Sequence, residues 1–308
     1  MIPVWIDCDT GVDDAAALLL AHQLKELEIV GISTVAGNVR LEKTCENTRK
    51  VCTLAGCNYP VYRGADRPLL RPYKDAALFH GADGLGGAAI MEAAYAAESL
   101  PAWDAIYRAA QAHPGELELV AVGPMTNIAI ALLKYPTLSK LLKRVLIMGG
   151  AAVGGNCTPC AEFNIYTDPE AAQQLFRSGV PIVMCGLDVT LKAYITPQEI
   201  DALLSRGGEV AKFFAESTKN SLRLSLEHGL PGVCMHDSCP LLYLTHPQLF
   251  CGEEAGVFVE TQAHLTLGKT VTDLYSDHQF AEKNALVLLD IDREKFLEVF
   301  TRAIAAYG

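Results

Sequence analysis

Short β-rich runs alternate with longer helical patterns along most of this chain, and that rhythm constrains the fold more than any other feature. A strand is expected near residues 3–8, a helix from 13 to 24, a strand near 28–35 and a helix from 41 to 55. The pattern resumes with Leu117-Glu118-Leu119-Val120-Ala121-Val122, a helix opening after Pro124, the strand Arg144-Val145-Leu146-Ile147-Met148, a helix after Asp168 and the strand Pro181-Ile182-Val183-Met184-Cys185. Parallel strands need such crossover helices, so the expected fold class is α/β, an open, mostly parallel sheet with helices on both faces. Ligands of such sheets usually sit beyond the carboxyl ends of the strands.

Three stretches interrupt the rhythm: residues 63–90, the Gly-rich segment 149–167 and a largely helical region over 197–246. Each is placed to cover a site. With no internal repeat and no Ser/Gly/Pro linker, residues 1–308 are expected to form a single domain. The formal net charge of −11 argues against nucleic acid, whose phosphates are met by clustered Lys and Arg. No apolar run is long enough to span a bilayer, the first residues lack the basic segment of a signal peptide, and ten scattered cysteines fit a reducing cytoplasm. Cys157-Thr158-Pro159-Cys160 lacks the second pair a zinc ribbon would need.

Where the first strand gives way to the first helix, Asp7-Cys8-Asp9-Thr10-Gly11-Val12-Asp13-Asp14 packs four carboxylates into eight residues. Alternation along a strand puts residues 7 and 9 on one face, and a turn through Gly11 would bring 13 and 14 back beside them. Capping and helix-dipole effects account for two of the four acids. The full set calls for a cation, and its all-oxygen character suits calcium or magnesium over zinc.

The segment resembles the Asp-x-Asp-x-Gly-x-Asp-Asp signature of the inosine-uridine-preferring nucleoside hydrolases. Further segments match in order: Val35-Ala36-Gly37-Asn38, Val122-Gly123-Pro124-Met125-Thr126-Asn127, Met148-Gly149-Gly150, Asn156 through Asn164 with Glu162-Phe163-Asn164, and His236-Asp237. The resemblance implies the nucleoside hydrolase fold, a Rossmann-like sheet, and hydrolysis of a ribonucleoside to ribose and free base. It implies a calcium ion on Asp9, Asp14, Asp237 and the Val122 carbonyl, with Asp9 as general base toward a metal-bound water. Asp13, Asn38, Asn156, Glu162 and Asn164 would hold the ribose hydroxyls, Met148 would line the same pocket, and His80 would stand at its side. His236 would protonate or orient the leaving base. A homodimer or homotetramer is the implied assembly.

Residues 220–235 are expected to pass over the base. Relatives with a pyrimidine preference tend to carry Gln and Tyr where this chain is aligned with Leu224 and His228, so a polar handle is expected to be lost at Leu224, and His228 is expected to face the base as a donor or second acid. A permissive or pyrimidine-leaning specificity follows. Two other functions fit parts of the pattern. A haloacid-dehalogenase-like phosphohydrolase would use the Asp7-x-Asp9 pair but leave the later segments idle, and a calcium-dependent ribonucleoside-binding protein would need neither Asp9 as base nor His236 as acid. Asp7 is assigned no definite role.

Overall fold

The computed structural model describes residues 1–275, 280 and 282–308. Its core is a nine-stranded sheet. Five parallel strands at the centre are β1 (Ile2–Cys8), β2 (Leu27–Thr34), β4 (Leu117–Ala121), β5 (Leu142–Met148) and β6 (Ile182–Cys185), and the short β3 (Val61–Arg63) extends the same sheet. A two-stranded antiparallel pair, β7 (Tyr194–Ile195) with β8 (Val233–Cys234), lies apart from it. The chain then adds β9 (Phe250–Val259), β10 (Thr270–Asp273) and β11 (Ala285–Ile291), giving the order β10-β9-β11-β6-β5-β4-β1-β2-β3. The pairs β10/β9 and β9/β11 are antiparallel, while β11 rejoins β6 in parallel.

Strands β4 and β6 are buried along their whole length, as expected where helices cover both faces. One apolar cluster gathers Val4, Ile6, Val120 and Leu146 with the Ala- and Leu-rich helix α1 (Val12–Gln23); the other gathers Trp5, Leu119, Ala121 and Ile147 with the helix Thr126–Lys134. Alternate residues of one strand thus enter opposite layers, as the period of two requires. The expected helices and central strands fall within a few residues of their predicted limits. No helix among the described residues is long and apolar enough to cross a membrane.

The long segment after β3 is held down by Asp168, a fully buried residue that caps the helix Pro169–Phe176. Its Oδ1 accepts the Ala171 N–H at 3.1 Å, while Oδ2 accepts the Leu69 N–H at 2.9 Å and the Thr126 hydroxyl at 2.7 Å. Three loops on the carboxyl side of the sheet thereby meet at one carboxylate. Asp168→Ala would leave three buried donors unmatched and is expected to lower unfolding stability by about 3 kcal/mol. The urea midpoint measures this; a loss below about 0.5 kcal/mol, the scale of a neutral surface change, would contradict it.

Candidate active site

Strands β2, β1, β4 and β5 are neighbours, and each carries a site residue at or just past its carboxyl end: Asn38, Asp9, Val122 and Met148. Beyond these ends lies a cavity of about 610 Å³. Its polar lining includes Asp13, Asn38, Glu162, Asn164 and Asp237, and its apolar lining includes Phe79, Leu191, Leu230 and Val233.

Asp9 is fully buried one residue past the end of β1. Two glycines make room for it: a Cβ on Gly37 would stand 2.1 Å from Asp9 Oδ2, and one on Gly123 would stand 2.8 Å from Oδ1. Oδ2 accepts the Asn38 backbone N–H at 2.7 Å, whereas Oδ1 has no hydrogen-bond partner among the described residues. A buried carboxylate oxygen without a partner is costly unless a cation or a donor from a ligand completes it.

Asp14 sits at the third position of α1 and accepts the Gly11 N–H at 2.8 Å, the Asp9 N–H at 3.2 Å and the Asn38 side-chain amide at 3.0 Å. It therefore caps the helix and belongs to the acidic cluster at once. One oxygen from each of Asp13, Asp14 and Asp237 lies within 4.8 Å of the others, a grouping able to hold a metal ion. Asp13 and Asp14 occupy the first turn of α1, and Asp237 precedes the helix Ser238–Thr245, so two helix N-termini face the negative charge.

Burial pushes all four acids up. Asp13 rises to about 7, with Asp14 adding repulsion. Asp9 is raised well above the carboxylate range by desolvation and then by Asp14, Asp237 by desolvation and then by Asp13, and Asp14 by desolvation. Without a compensating cation, burial and mutual repulsion favour the protonated form of these acids.

Glu162 caps the helix Phe163–Thr167 through the Asn164 and Ile165 N–H groups at 3.0 and 3.2 Å, and also accepts the Gly150 N–H at 3.0 Å. Burial, opposed by those donors, pushes it up to about 7. The Asn164 side-chain amide donates to the carbonyls of Val122 at 2.7 Å and Met148 at 3.0 Å, joining the ends of β4 and β5. The Val122 carbonyl keeps a second lone pair for another partner. Asn156 is exposed on the cavity wall, its side-chain carbonyl accepting the Phe163 N–H at 2.9 Å.

Three histidines line the cavity. His80 ends the short helix Ala77–His80; its Nδ1 accepts the Val12 N–H at 3.1 Å and lies 3.9 Å from Asp13. An accepting Nδ1 places the proton of the neutral ring on Nε2. His236 Nδ1 pairs with the Thr190 hydroxyl at 2.8 Å. Burial depresses both rings to about 4, and His236 adds to the effect on His80. His228, exposed at the rim, bonds through Nδ1 to the Leu224 carbonyl at 2.7 Å.

The sequence-predicted residues Asp13, Asn38, His80, Val122, Met148, Asn156, Glu162, Asn164, His228, His236 and Asp237 all face this cavity, with Asp9 and Asp14 fully buried and joined to it through Asn38. Three details differ from the sequence reading. The carboxylate trio contains Asp13 and not Asp9. Asp9 lies outside the strand, which ends at Cys8, and the two acids take different partners: Asp7 Oδ1 accepts from the Ser33 hydroxyl and from Asn127 at 2.8 Å, and burial pushes Asp7 up to about 7. Leu224 is buried and absent from the cavity wall, so its side chain takes no handle away from a base. Ser221 and Ser225 line that wall instead, a pair four residues apart whose helical spacing was available in the sequence. Phe79, Leu191 and Thr190 also went unrecognised, and only tertiary packing brings them here.

Residues 4–298 match the family described as inosine-uridine preferring nucleoside hydrolase. The pyrimidine-specific ribonucleoside hydrolase RihA of Citrobacter koseri is 40% identical over 310 residues, covering 100% of this chain and 99% of that protein. Among solved structures, the purine-preferring ribonucleoside hydrolase from Gardnerella vaginalis superposes with a TM-score of 0.93 at 31% identity, over 99% of this chain and 98% of that one. An inosine-guanosine nucleoside hydrolase superposes with a TM-score of 0.90 at 28% identity, over 99% of both chains. With the nine-stranded sheet and the acidic cavity at its carboxyl edge, these matches place the chain in the inosine-uridine preferring nucleoside hydrolase family, enzymes that cleave the N-glycosidic bond of a nucleoside with water.

Proposed function

We propose that this chain hydrolyses ribonucleosides with a pyrimidine preference and requires a calcium ion. Buried carboxylates grouped at a cavity that also carries an apolar lining support the reading: the acids suit a polyhydroxylated sugar on a cation, the apolar residues a flat base. The 40% identity to a relative named pyrimidine-specific supports the base preference.

Asp9, Asp14, Asp237 and the Val122 carbonyl would hold the ion, with Asp13 beside them. When bound, calcium supplies Lewis-acid activation of water and a flexible oxygen shell for the ribose diol. Asp9 would act as general base; its unpartnered Oδ1 and the Asn38 N–H that fixes the orientation of its other oxygen support that role. Asp13, Asn38, Asn156, Glu162 and Asn164 would hold the ribose hydroxyls, and Met148 would pack against the sugar. As the glycosidic bond breaks, positive charge develops on the sugar, where buried carboxylates in a poorly solvated pocket stabilise it most. His236, aimed by Thr190, would orient the leaving base and, although burial lowers its affinity for a proton, serve as its acid when the ring is protonated, with His80 at the side of the pocket. A single domain assembled as a homodimer or homotetramer in a cytoplasm completes the proposal; its ten free thiols suit that compartment.

Purified protein with calcium should release ribose from uridine, chelation should stop the release, and Asp9→Ala should lower kcat by about 10³ or more. Release unaffected by chelator or by the substitution would overturn the assignment.

Because the site binds each ribose hydroxyl, 2′-deoxyuridine should be cleaved at least about a hundredfold less efficiently than uridine. Comparing kcat/KM for the two, and for inosine, measures this. Equal rates for the deoxy substrate would contradict the ribose contacts, and a hundredfold preference for inosine would contradict the pyrimidine assignment.

Asp7, Asp13 and Glu162 are pushed up to about 7 in the folded chain, whereas unfolded carboxyls titrate near about 4. The stabilisation from these retained protons is fully present below the unfolded value and is lost as pH rises through about 7. In chelator, Tm should therefore fall from about pH 5 to about pH 8, and calcium should raise it more at the higher pH, where its ligands are ionised. Thermal scans at both values test this; an equal calcium effect at the two would contradict it.

A further inference from the structure

We propose that Ser225 and His228 together read the hydrogen-bonding edge of the base, the hydroxyl of Ser225 donating to a carbonyl and Nε2 of His228 accepting an adjacent ring N–H. The inference rests on the ribonucleoside hydrolase reading above and adds the chemical feature of the base that the cavity selects.

The two residues are three apart at the end of the helix Lys219–Glu227, with His228 at its C-cap, so their side chains leave on one face. Both line the cavity, on the wall that also carries Phe79 and Leu230. The polarity of His228 is fixed by its other nitrogen. Nδ1 lies 2.7 Å from the Leu224 carbonyl, which can only accept, so Nδ1 carries the proton and the neutral ring presents a lone pair at Nε2. The Phe79 ring, centred 6.5 Å away, packs beside the imidazole and limits its freedom. Ser225 makes no side-chain hydrogen bond among the described residues and is half-buried, which leaves its hydroxyl for a ligand. Ser221, one turn earlier, differs: its hydroxyl donates to the Phe79 carbonyl at 2.9 Å and fastens the helix to the segment bearing His80.

A donor and an acceptor three residues apart on one helix face match a base that shows C=O next to N–H, as the imide edge of uracil does. An accepting Nε2 penalises a base whose ring nitrogen carries a methyl group, because the lone pair then has no hydrogen to meet. This role for His228 is the reverse of the donor role expected from sequence.

The test compares kcat/KM for uridine and 3-methyluridine, which lacks the N3 hydrogen, in the calcium-loaded unmodified protein and in Ser225→Ala, His228→Ala and His228→Gln. The unmodified protein should favour uridine by at least about tenfold. His228→Ala should reduce that ratio to within about twofold, and His228→Gln, whose side-chain carbonyl can accept, should restore most of it. Ser225→Ala should lower uridine efficiency several-fold without removing the preference against the methylated base. Uridine cleavage with equal use of 3-methyluridine, or a preference that survives His228→Ala, would overturn the inference while leaving the hydrolase reading intact. Failure of the unmodified protein to cleave uridine would overturn the pyrimidine reading and the inference with it.

Discussion

Mutual repulsion among carboxylates removed from water is the constraint around which the rest of this structure is arranged. Asp9 and Asp14 are fully exposed to one another's field and to no solvent, and Asp13 and Asp237 add charge from the cavity side. Each partial remedy is visible in the backbone. Gly11, Gly37 and Gly123 permit close approach, the N-termini of α1 and of the helix Ser238–Thr245 point toward the acids, and Asn38 donates to two of them. Helix ends contribute up to about 1 kcal/mol and hydrogen bonds to charged groups about 1.5–3 kcal/mol each, and burial still leaves all four acids raised. Protonation or a divalent cation can supply the remainder, and the proposed function takes the cation.

The sheet explains why the acids meet. Parallel strands deliver their carboxyl ends to one edge, so residues distant in sequence, Asp9, Asn38, Val122 and Met148, arrive together without any one loop being long. The interrupting segments then build the walls. Residues 63–90, pinned through Leu69 to Asp168, bring Phe79 and His80; the segment after β5 brings Asn156, Glu162 and Asn164; the helical region over 197–246 brings Ser225, His228, His236 and Asp237. Single residues serve the fold and the cavity at once: Glu162 is a helix cap as well as a wall of the cavity, and Asn164 ties two strand ends while lining it.

Much of this was legible in the sequence because period and motif are local signals. The βαβα rhythm exposed the central strands, and the Asp9 to Asp14 segment exposed the cluster, since four acids at a strand end have no adequate structural explanation. What stayed hidden depends on distance. The antiparallel β9, β10 and β11 extend the sheet through pairings whose partners no local pattern identifies. Asp7 joins Ser33 and Asn127, 26 and 120 residues away, so its partners could not be read from alternation alone. On the helix Lys219–Glu227 and its C-cap, the sequence reading set His228 at the cavity, where it lies, and misplaced Leu224, which turns into the protein while Ser221 and Ser225 line the cavity.

Calorimetric titration of the chain with calcium at neutral pH, repeated in buffers of different ionisation enthalpy, tests the central claim most directly. If the buried acids hold protons until a cation arrives, one ion should bind per chain with net proton release, and the release should diminish in Asp14→Asn and Asp237→Asn. Calcium binding without proton release, or no binding at all, would contradict the account.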